Sequence, residues 1–95
     1  MQLNQSEQGD EGRFFAVDGE NEIGGMYYTY ADDGNMIIDH TEVSEQYEGK
    51  GIGKELLSSL IDFVRVKKIK VIPHCSYAAL VFKRTPAWQD VLVTK

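Results

Sequence analysis

Three glycines alternate with other residues in the stretch Gln46-Tyr47-Glu48-Gly49-Lys50-Gly51-Ile52-Gly53. A strand-like run at residues 35–43 precedes this stretch, and the clearest helical pattern of the chain follows it. A glycine-rich turn between a strand and a helix leaves several backbone N–H groups without partners, and the helix start adds roughly half an elementary positive charge. Such a turn is a typical binding place for a phosphate or pyrophosphate group.

The first half of the chain predicts an antiparallel meander of three strands. Apolar and aromatic residues fill the runs at 13–17, 22–30 and 36–43, and turn signals separate these runs. The pair Gly24-Gly25 weakens the second strand and suggests a bulge there. Residues 1–12 are polar and acidic without apolar periodicity, so we expect them to be flexible.

The second half predicts a helix, one parallel strand and short C-terminal helices. The helix at residues 51–67 carries apolar side chains on one face: Ile52, Leu56, Leu57, Leu60, Ile61 and Val64. The short strand at 70–73 should lie parallel to the third strand, because right-handed crossovers join such units. Short helices are predicted at 77–83 and 86–92. Residues 1–95 therefore predict a single domain of the α+β class with a mixed sheet.

Charge is divided unevenly between the two halves of the chain. The net charge is −5, but residues 1–48 carry twelve acids and one arginine, a net −11. Residues 49–95 carry nine Lys or Arg and three acids, a net +6. The basic half starts at the glycine turn and suits an anionic ligand, whereas the acidic half either attracts a cationic substrate or is simply solvated. The overall acidity argues against nucleic acid as the main partner.

Size and composition further restrict the kind of protein and its cellular location. A chain of 95 residues with 42% hydrophobic content builds one modest core, so we expect a monomer or a weak homodimer. No apolar run approaches the roughly 20 residues of a membrane span, so no membrane partner is expected. The polar start does not resemble a signal peptide, and the single Cys75 cannot form an internal disulfide. Both features favour the cytoplasm.

Two common phosphate-binding motifs do not fit the glycine turn. A Rossmann site needs a G-x-G-x-x-G turn in a doubly wound sheet and an acidic residue about 20 positions later. Here the strands before the turn are predicted to be antiparallel, and Lys70 occupies the later position. A Walker A loop needs a Ser or Thr after its lysine. Glu55 follows Lys54 instead, which excludes this motif as well.

The meander, glycine turn, helix and parallel strand together resemble the GNAT acetyltransferase superfamily. The acetyl-CoA signature of that superfamily is Gln/Arg-x-x-Gly-x-Gly/Ala. Gln46, Gly49 and Gly51 match this signature, and Gly53 and Lys54 extend it. The resemblance implies a minimal GNAT acyl-CoA N-acyltransferase fold.

The chain looks most like very small single-domain GNAT-like proteins. These carry a His-Thr-x-Val strand before the glycine turn and a Pro-x-Cys segment after the helix. The corresponding segments here are His40-Thr41-Glu42-Val43 and Pro73-His74-Cys75, and the resemblance covers residues 13–92. Compared with larger GNAT enzymes, the first helices and last strands are missing, and those elements usually shape the acceptor pocket.

The resemblance implies acetyl-CoA or CoA as the co-substrate, with no bound metal. Backbone groups near Val43 would pair with the pantetheine arm, and turn N–H groups would bind the pyrophosphate. The implied cofactor-binding residues are Val43, Gln46, Glu48, Gly49, Lys50, Gly51, Ile52, Gly53, Lys54 and Arg84. Lys83 is a further candidate for a phosphate contact.

Acetyl transfer to an amine needs a base, a donor to the thioester oxygen and an acid for the leaving thiolate. Cys75 ends the predicted fourth strand, where it either accepts the acetyl group, lines the pocket or packs as a small buried side chain. Tyr77 is a candidate acid.

Two further residues are candidate bases. His40 is expected on the same strand face as Met36, Ile38 and Glu42, where it acts either as a base near the thioester and Cys75 or as a structural histidine. Glu42 is the second candidate base.

These observations favour an acetyl-CoA-binding N-acetyltransferase acting on a small-molecule or peptidyl amine. The alternative is a CoA-binding module with little or no catalysis, such as a sensor. A third reading is an interaction domain that binds no nucleotide.

Overall fold

The structure, a computed structural model, describes residues 1–93 of the chain. A single five-stranded sheet has the order β1-β2-β3-β4-β5, in which the first four strands are antiparallel and the last pair is parallel. The strands are β1 (Gln2–Gln8), β2 (Glu11–Asp18), β3 (Asn21–Tyr30), β4 (Met36–Val43) and β5 (Val71–Pro73). The helices are α1 (Ile52–Lys67) and α2 (Ser76–Arg84), with 3-10 helices at Glu45–Tyr47 and Pro86–Val91. The predicted α+β class with a mixed sheet is confirmed.

The core lies between α1 and the sheet. Every large apolar residue of the predicted helical stripe is buried, and on the sheet side Phe14, Met26, Tyr28, Met36 and Ile38 are buried with them. Burial of one such side chain is worth about 1.5–3 kcal/mol before the cost of ordering the chain. Packing of this single face therefore holds α1 across β2, β3 and β4.

The prediction missed β1. The segment expected to be flexible pairs with β2 over all seven residues of the strand, so the antiparallel meander has four strands rather than three. Polar contacts hold this strand: the hydroxyls of Tyr28 and Tyr30 donate to Glu7 at 2.6 and 2.5 Å. Gln5 Nε2 also donates to the Tyr28 hydroxyl at 2.8 Å. These contacts join residues more than 20 positions apart, so local apolar periodicity could not reveal them.

Two register irregularities reshape the sheet. Between β2 and β3, Ala16 pairs with Gly24 while Val17 pairs with Glu22, so the extra residue is Ile23 rather than the predicted Gly24-Gly25. Gly24 instead permits close packing, because a Cβ there would lie 3.2 Å from Ile52.

The second irregularity lies between β3 and β4. Tyr28 pairs with Ile38, but Tyr27 pairs with His40, which leaves Asp39 as the extra residue of a bulge. A bulge of one residue exchanges the two faces of the strand beyond it. This exchange decides which β4 side chains reach the site described below.

Within residues 1–93, no helix combines the length and the apolar character needed to cross a membrane.

Candidate functional site

A cleft of about 420 Å³ opens at the C-terminal end of β4, beside the start of α1. Three consecutive β4 residues, 41–43, form one wall of the cleft. Most of residues 47–53 form a second wall, and Tyr77 of α2 contributes to a third. The site therefore lies where the sheet, the glycine turn and the two helices meet.

The β4 wall has a free edge. β4 and β5 pair over only three residues of each strand, from Met36 with Val71 to Ile38 with Pro73. The N–H of Cys75 then donates to the Ile38 carbonyl at 2.9 Å. Beyond that bond β4 continues to Val43, and no strand among residues 1–93 pairs with this edge. The two strands thus part at the cleft.

The glycine turn takes its shape from two left-handed residues. Gly49 has φ 78° and Gly51 has φ 80°, conformations that L side chains rarely adopt. The N–H groups of Glu48 and Lys50 make long bonds of 3.3 Å within the turn. The N–H groups of Gly49, Gly51, Ile52, Gly53 and Lys54 have no acceptor among the described residues, as is usual at the start of a helix. Four of these five donors, those of Gly51 to Lys54, lie at the positive end of α1.

Gly53 serves a different purpose from the other two glycines. A Cβ at this position would lie 2.7 Å from the hydroxyl oxygen of Tyr77, so the tyrosine ring occupies the place of a side chain. Burial, and then the nearby Cys75, raise the pKa of the Tyr77 hydroxyl above its ordinary value. The hydroxyl therefore stays protonated at neutral pH and can donate a hydrogen bond at the cleft.

Cys75 is half-buried and stands at the N-cap of α2. Its thiol donates to the hydroxyl oxygen of Thr41, with the sulfur and oxygen 3.3 Å apart. Thr41 lines the cleft, yet the sequence interpretation gave it no role. The signal was available, because Thr41 is the second residue of the His-Thr-x-Val segment.

The expected environment of His40 is wrong. Met36 and Ile38 are fully buried, whereas the His40 side chain is 63% exposed and faces the other way. The Asp39 bulge is the cause, since it turns Thr41 rather than His40 towards Cys75. His40 instead stacks on Tyr27, with ring centroids 5.9 Å apart.

His40 does share its face with Glu42, as expected. Its Nε2 lies 3.5 Å from Glu42 Oε2, and the Glu42 side chain is 55% exposed. Glu42 also borders the cleft. The strand β4 therefore carries the thiol-bonded Thr41 on one face and the histidine–carboxylate pair on the other.

Comparison with known proteins decides the family. A family model described as GCN5-related N-acetyl-transferase matches residues 13–91. The chain belongs to this family. The resemblance inferred from the glycine turn and its flanking motifs is thereby confirmed.

Several known proteins resemble the chain in sequence or in structure. Protein NATD1 of Gallus gallus is 36% identical over 63 residues, which cover 64% of this chain and 56% of that protein. The match thus spans little more than half of the curated relative. A GCN5-like protein of Staphylococcus aureus, determined in solution, superposes with a TM-score of 0.74 at 29% identity, covering 98% of this chain and 90% of that one. An aminoglycoside N-acetyltransferase, AAC(6')-Iy, was solved in complex with CoA and superposes with a TM-score of 0.60. The match covers 93% of this chain and 71% of that one at 12% identity, so it shows a shared fold alone.

Some expected contacts of the GNAT site lie outside the cleft. Gln46 is exposed in the 3-10 helix before the turn, and Lys50 and Lys54 flank the cleft from exposed positions. Arg84 ends α2, seven residues beyond Tyr77 and therefore about 10 Å further along the helix axis. Lys83 lies at the same distant end. These residues remain candidates for phosphate contacts only if the ligand extends beyond the cleft.

Among residues 1–93, no three His, Cys, Asp or Glu side chains are arranged to hold a metal ion.

Proposed function

We propose that this protein is an acetyl-CoA-dependent N-acetyltransferase that moves an acetyl group to a small-molecule or peptidyl amine. The observation that carries the proposal is the glycine turn, where four backbone N–H groups at the start of α1 have no acceptor among residues 1–93. Membership of the GCN5-related N-acetyl-transferase family supports acetyl transfer as the reaction. AAC(6')-Iy, which shares the fold, was solved with CoA. CoA and its acetyl thioester are therefore the ligands that we propose.

The cleft has the size of a small-molecule site. The volume of about 420 Å³ lies within the range of roughly 300–1,000 Å³ typical of small-molecule sites. The turn N–H groups would bind the pyrophosphate. The free edge of β4 near Val43 would pair with amides of the pantetheine arm, as an added strand does. The thioester would then lie near Thr41, Cys75 and Tyr77.

The two faces of β4 divide the proposed chemistry. The amine must lose a proton before attack, and His40 with Glu42 forms an exposed pair able to accept it. Tyr77, protonated at neutral pH, would donate to the leaving thiolate from the cleft side. The amine would therefore approach from the face of His40, and CoA would lie on the face of Thr41.

Cys75 has two possible roles in this scheme. In the first, the amine attacks the thioester directly and Cys75 only lines the site. In the second, a bond forms between the Cys75 sulfur and the acetyl carbon as the bond to the CoA sulfur breaks. The thiol proton passes to the CoA thiolate, and the amine then takes the acetyl group and restores the thiol. The first role is the one that we propose, with the second as its competitor.

Turnover with saturating acetyl-CoA and a panel of primary amines tests the proposal. We expect acetylated product with at least one amine, and His40→Gln should lower its rate by about 100-fold, the smaller end of what a positioned base contributes. His74→Gln, which changes the other histidine of the chain, is the matched control and should keep the wild-type rate. Loss of activity in both variants, or in neither, would contradict the role of His40.

Intact-mass spectrometry separates the two roles of Cys75. A protein mass increased by one acetyl group, absent in Cys75→Ser, would establish the covalent route. An unmodified mass together with an unchanged rate in Cys75→Ser would establish direct attack.

One observation favours a CoA-binding module without catalysis as the second candidate. The side chains of His40 and Glu42 are both more than half exposed, whereas catalytic bases commonly lie in partly desolvated pockets. This candidate predicts that calorimetry detects CoA binding while no amine in the panel is acetylated.

We further propose a cytoplasmic location and a monomer or weak homodimer. The single cysteine, which has no partner for an internal disulfide, supports the reducing compartment. Sedimentation velocity over a range of concentrations measures the state of association.

A further inference from the structure

Tyr47 joins the glycine turn to a distant part of the fold. Its hydroxyl donates to Asp18 Oδ2 at 2.5 Å, across 29 positions of sequence. Asp18 ends β2, so this bond ties the connection between β4 and α1 to the β2–β3 turn. The bond to the carboxylate also raises the pKa of the Tyr47 hydroxyl above its ordinary value, so the donor keeps its proton at neutral pH.

Tyr47 is also the residue from which the turn starts. Its N–H donates to the Ser44 carbonyl at 2.8 Å, and its own carbonyl accepts the N–H of Lys50 at 3.3 Å. The Lys50 ammonium lies 5.6 Å from the centre of the Tyr47 ring, within the range of a cation–π contact. The orientation of one ring is therefore coupled to the turn backbone and to a candidate phosphate contact.

The two left-handed glycines of the turn pack against no other part of the fold. A Cβ built at Gly49 or at Gly51 would meet no atom within 4 Å, so these two positions stand in open space. Glycines are also the residues with the widest choice of backbone conformations. Order in this segment must therefore come from its ends, and Tyr47 forms one end while α1 forms the other.

We propose that the Asp18–Tyr47 pair is a positioning device that holds the glycine turn in the conformation in which its free N–H groups converge on a pyrophosphate. This inference rests on the proposed function, because it takes CoA as the ligand of the turn. Neither side chain would touch the reacting atoms. Their effect would be confined to the part of the ligand that the turn binds.

The test compares two ligands that share the pantetheine arm but differ in the pyrophosphate and the 3'-phosphoadenosine attached to it. CoA carries both, whereas pantetheine contains the arm and thiol alone. In Tyr47→Phe we expect the dissociation constant of CoA to rise about fivefold, the effect of one lost hydrogen bond. The dissociation constant of pantetheine, measured by amide shifts in NMR titration, should not change. Asp18→Ala, which removes the acceptor, should behave as Tyr47→Phe does, and the double variant should be no weaker than either single one.

Tyr30→Phe is the matched control, because the Tyr30 hydroxyl also donates to a carboxylate at 2.5 Å, on Glu7 and away from the cleft. It should change neither dissociation constant. An unchanged CoA affinity in Tyr47→Phe, or an equal loss for both ligands, would overturn the inference.

Hydrogen exchange without ligand separates this inference from the proposed function. The amides of Glu48 and Lys50, which are hydrogen-bonded within the turn, should exchange several-fold faster in Tyr47→Phe than in wild type, while those of α1 beyond Leu56 keep their rates. Unchanged exchange would overturn the positioning role even if CoA binds. A wild-type protein that binds no CoA would overturn the proposed function and leave the exchange result to decide whether the pair orders the turn.

Discussion

Replacement of Gly53 by alanine should reverse the usual effect of that substitution. In a helix, alanine is ordinarily more stable than glycine by about 0.5–1 kcal/mol. Here the added methyl would lie 2.7 Å from the Tyr77 hydroxyl oxygen and 2.8 Å from the adjoining ring carbon. Contacts under 3.0 Å do not persist, so the ring of Tyr77 must move.

The exposed fraction of Tyr77 limits the cost of that movement. The residue is 37% exposed, so full expulsion of a side chain of about 200 Å² would return roughly 125 Å² to water. At about 25 cal/mol per Å² this amounts to about 3 kcal/mol, and a smaller displacement costs less. After the gain from alanine is subtracted, Gly53→Ala should destabilise the protein by about 1–2 kcal/mol.

Urea unfolding of a double-mutant cycle measures this effect. In a Tyr77→Ala background the obstacle is gone, and Gly53→Ala should then stabilise the protein by about 0.5–1 kcal/mol. Ser58→Ala, at another position of α1, calibrates the gain from helix propensity and should give equal values in both backgrounds. Equal stabilisation by Gly53→Ala in both backgrounds would refute the packing of Tyr77 over Gly53.

Three further predictions concern other parts of the molecule. Thr41→Val should slow alkylation of Cys75 by iodoacetamide about fivefold, because the Thr41 hydroxyl beside the sulfur can rotate to donate to the reacting thiolate and valine cannot, while Thr41→Ser keeps the rate; equal slowing in both would contradict it. Lys68→Gly should raise the free energy of unfolding by about 1 kcal/mol, because Lys68 closes α1 at φ 60°, and a decrease would contradict it. Burial and the bond to Glu7 raise the pKa of Tyr30 to about 12, so stabilisation present below pH 10 should be lost as the pH rises towards 12. The free energy of unfolding, measured at a series of pH values, gives that loss of stability, and Glu7→Gln should make the loss smaller.

Local sequence patterns predicted the elements whose conformation depends on residues close together in the sequence. The helical stripe of α1 and the glycine turn could be found from sequence, because side-chain periodicity and left-handed backbone conformations depend on neighbouring residues. Gly49 and Gly51 have the positive φ angles that such a turn requires.

The parts that sequence missed depend on distant contacts. β1 contains few apolar residues, and the bonds from Tyr28 and Tyr30 to Glu7 help to hold it across more than 20 positions. No alternation within residues 2–8 reveals those bonds.

The candidate site was misjudged at one residue for a similar reason. Strict alternation along β4 places His40 beside Ile38, but the bulge at Asp39 arises from pairing with β3 and exchanges the faces. Thr41 therefore contacts Cys75, a relationship that a period of two cannot predict.

The central claim is that acetyl-CoA lies between the glycine turn and the free edge of β4. An NMR titration of the ¹⁵N-labelled protein with acetyl-CoA tests it most directly. We predict saturable shifts of the amides of Gly49, Gly51, Ile52 and Gly53 and of residues 41–43, with little change in β1. An absence of shifts at saturating acetyl-CoA, or shifts confined to another surface, would contradict the claim.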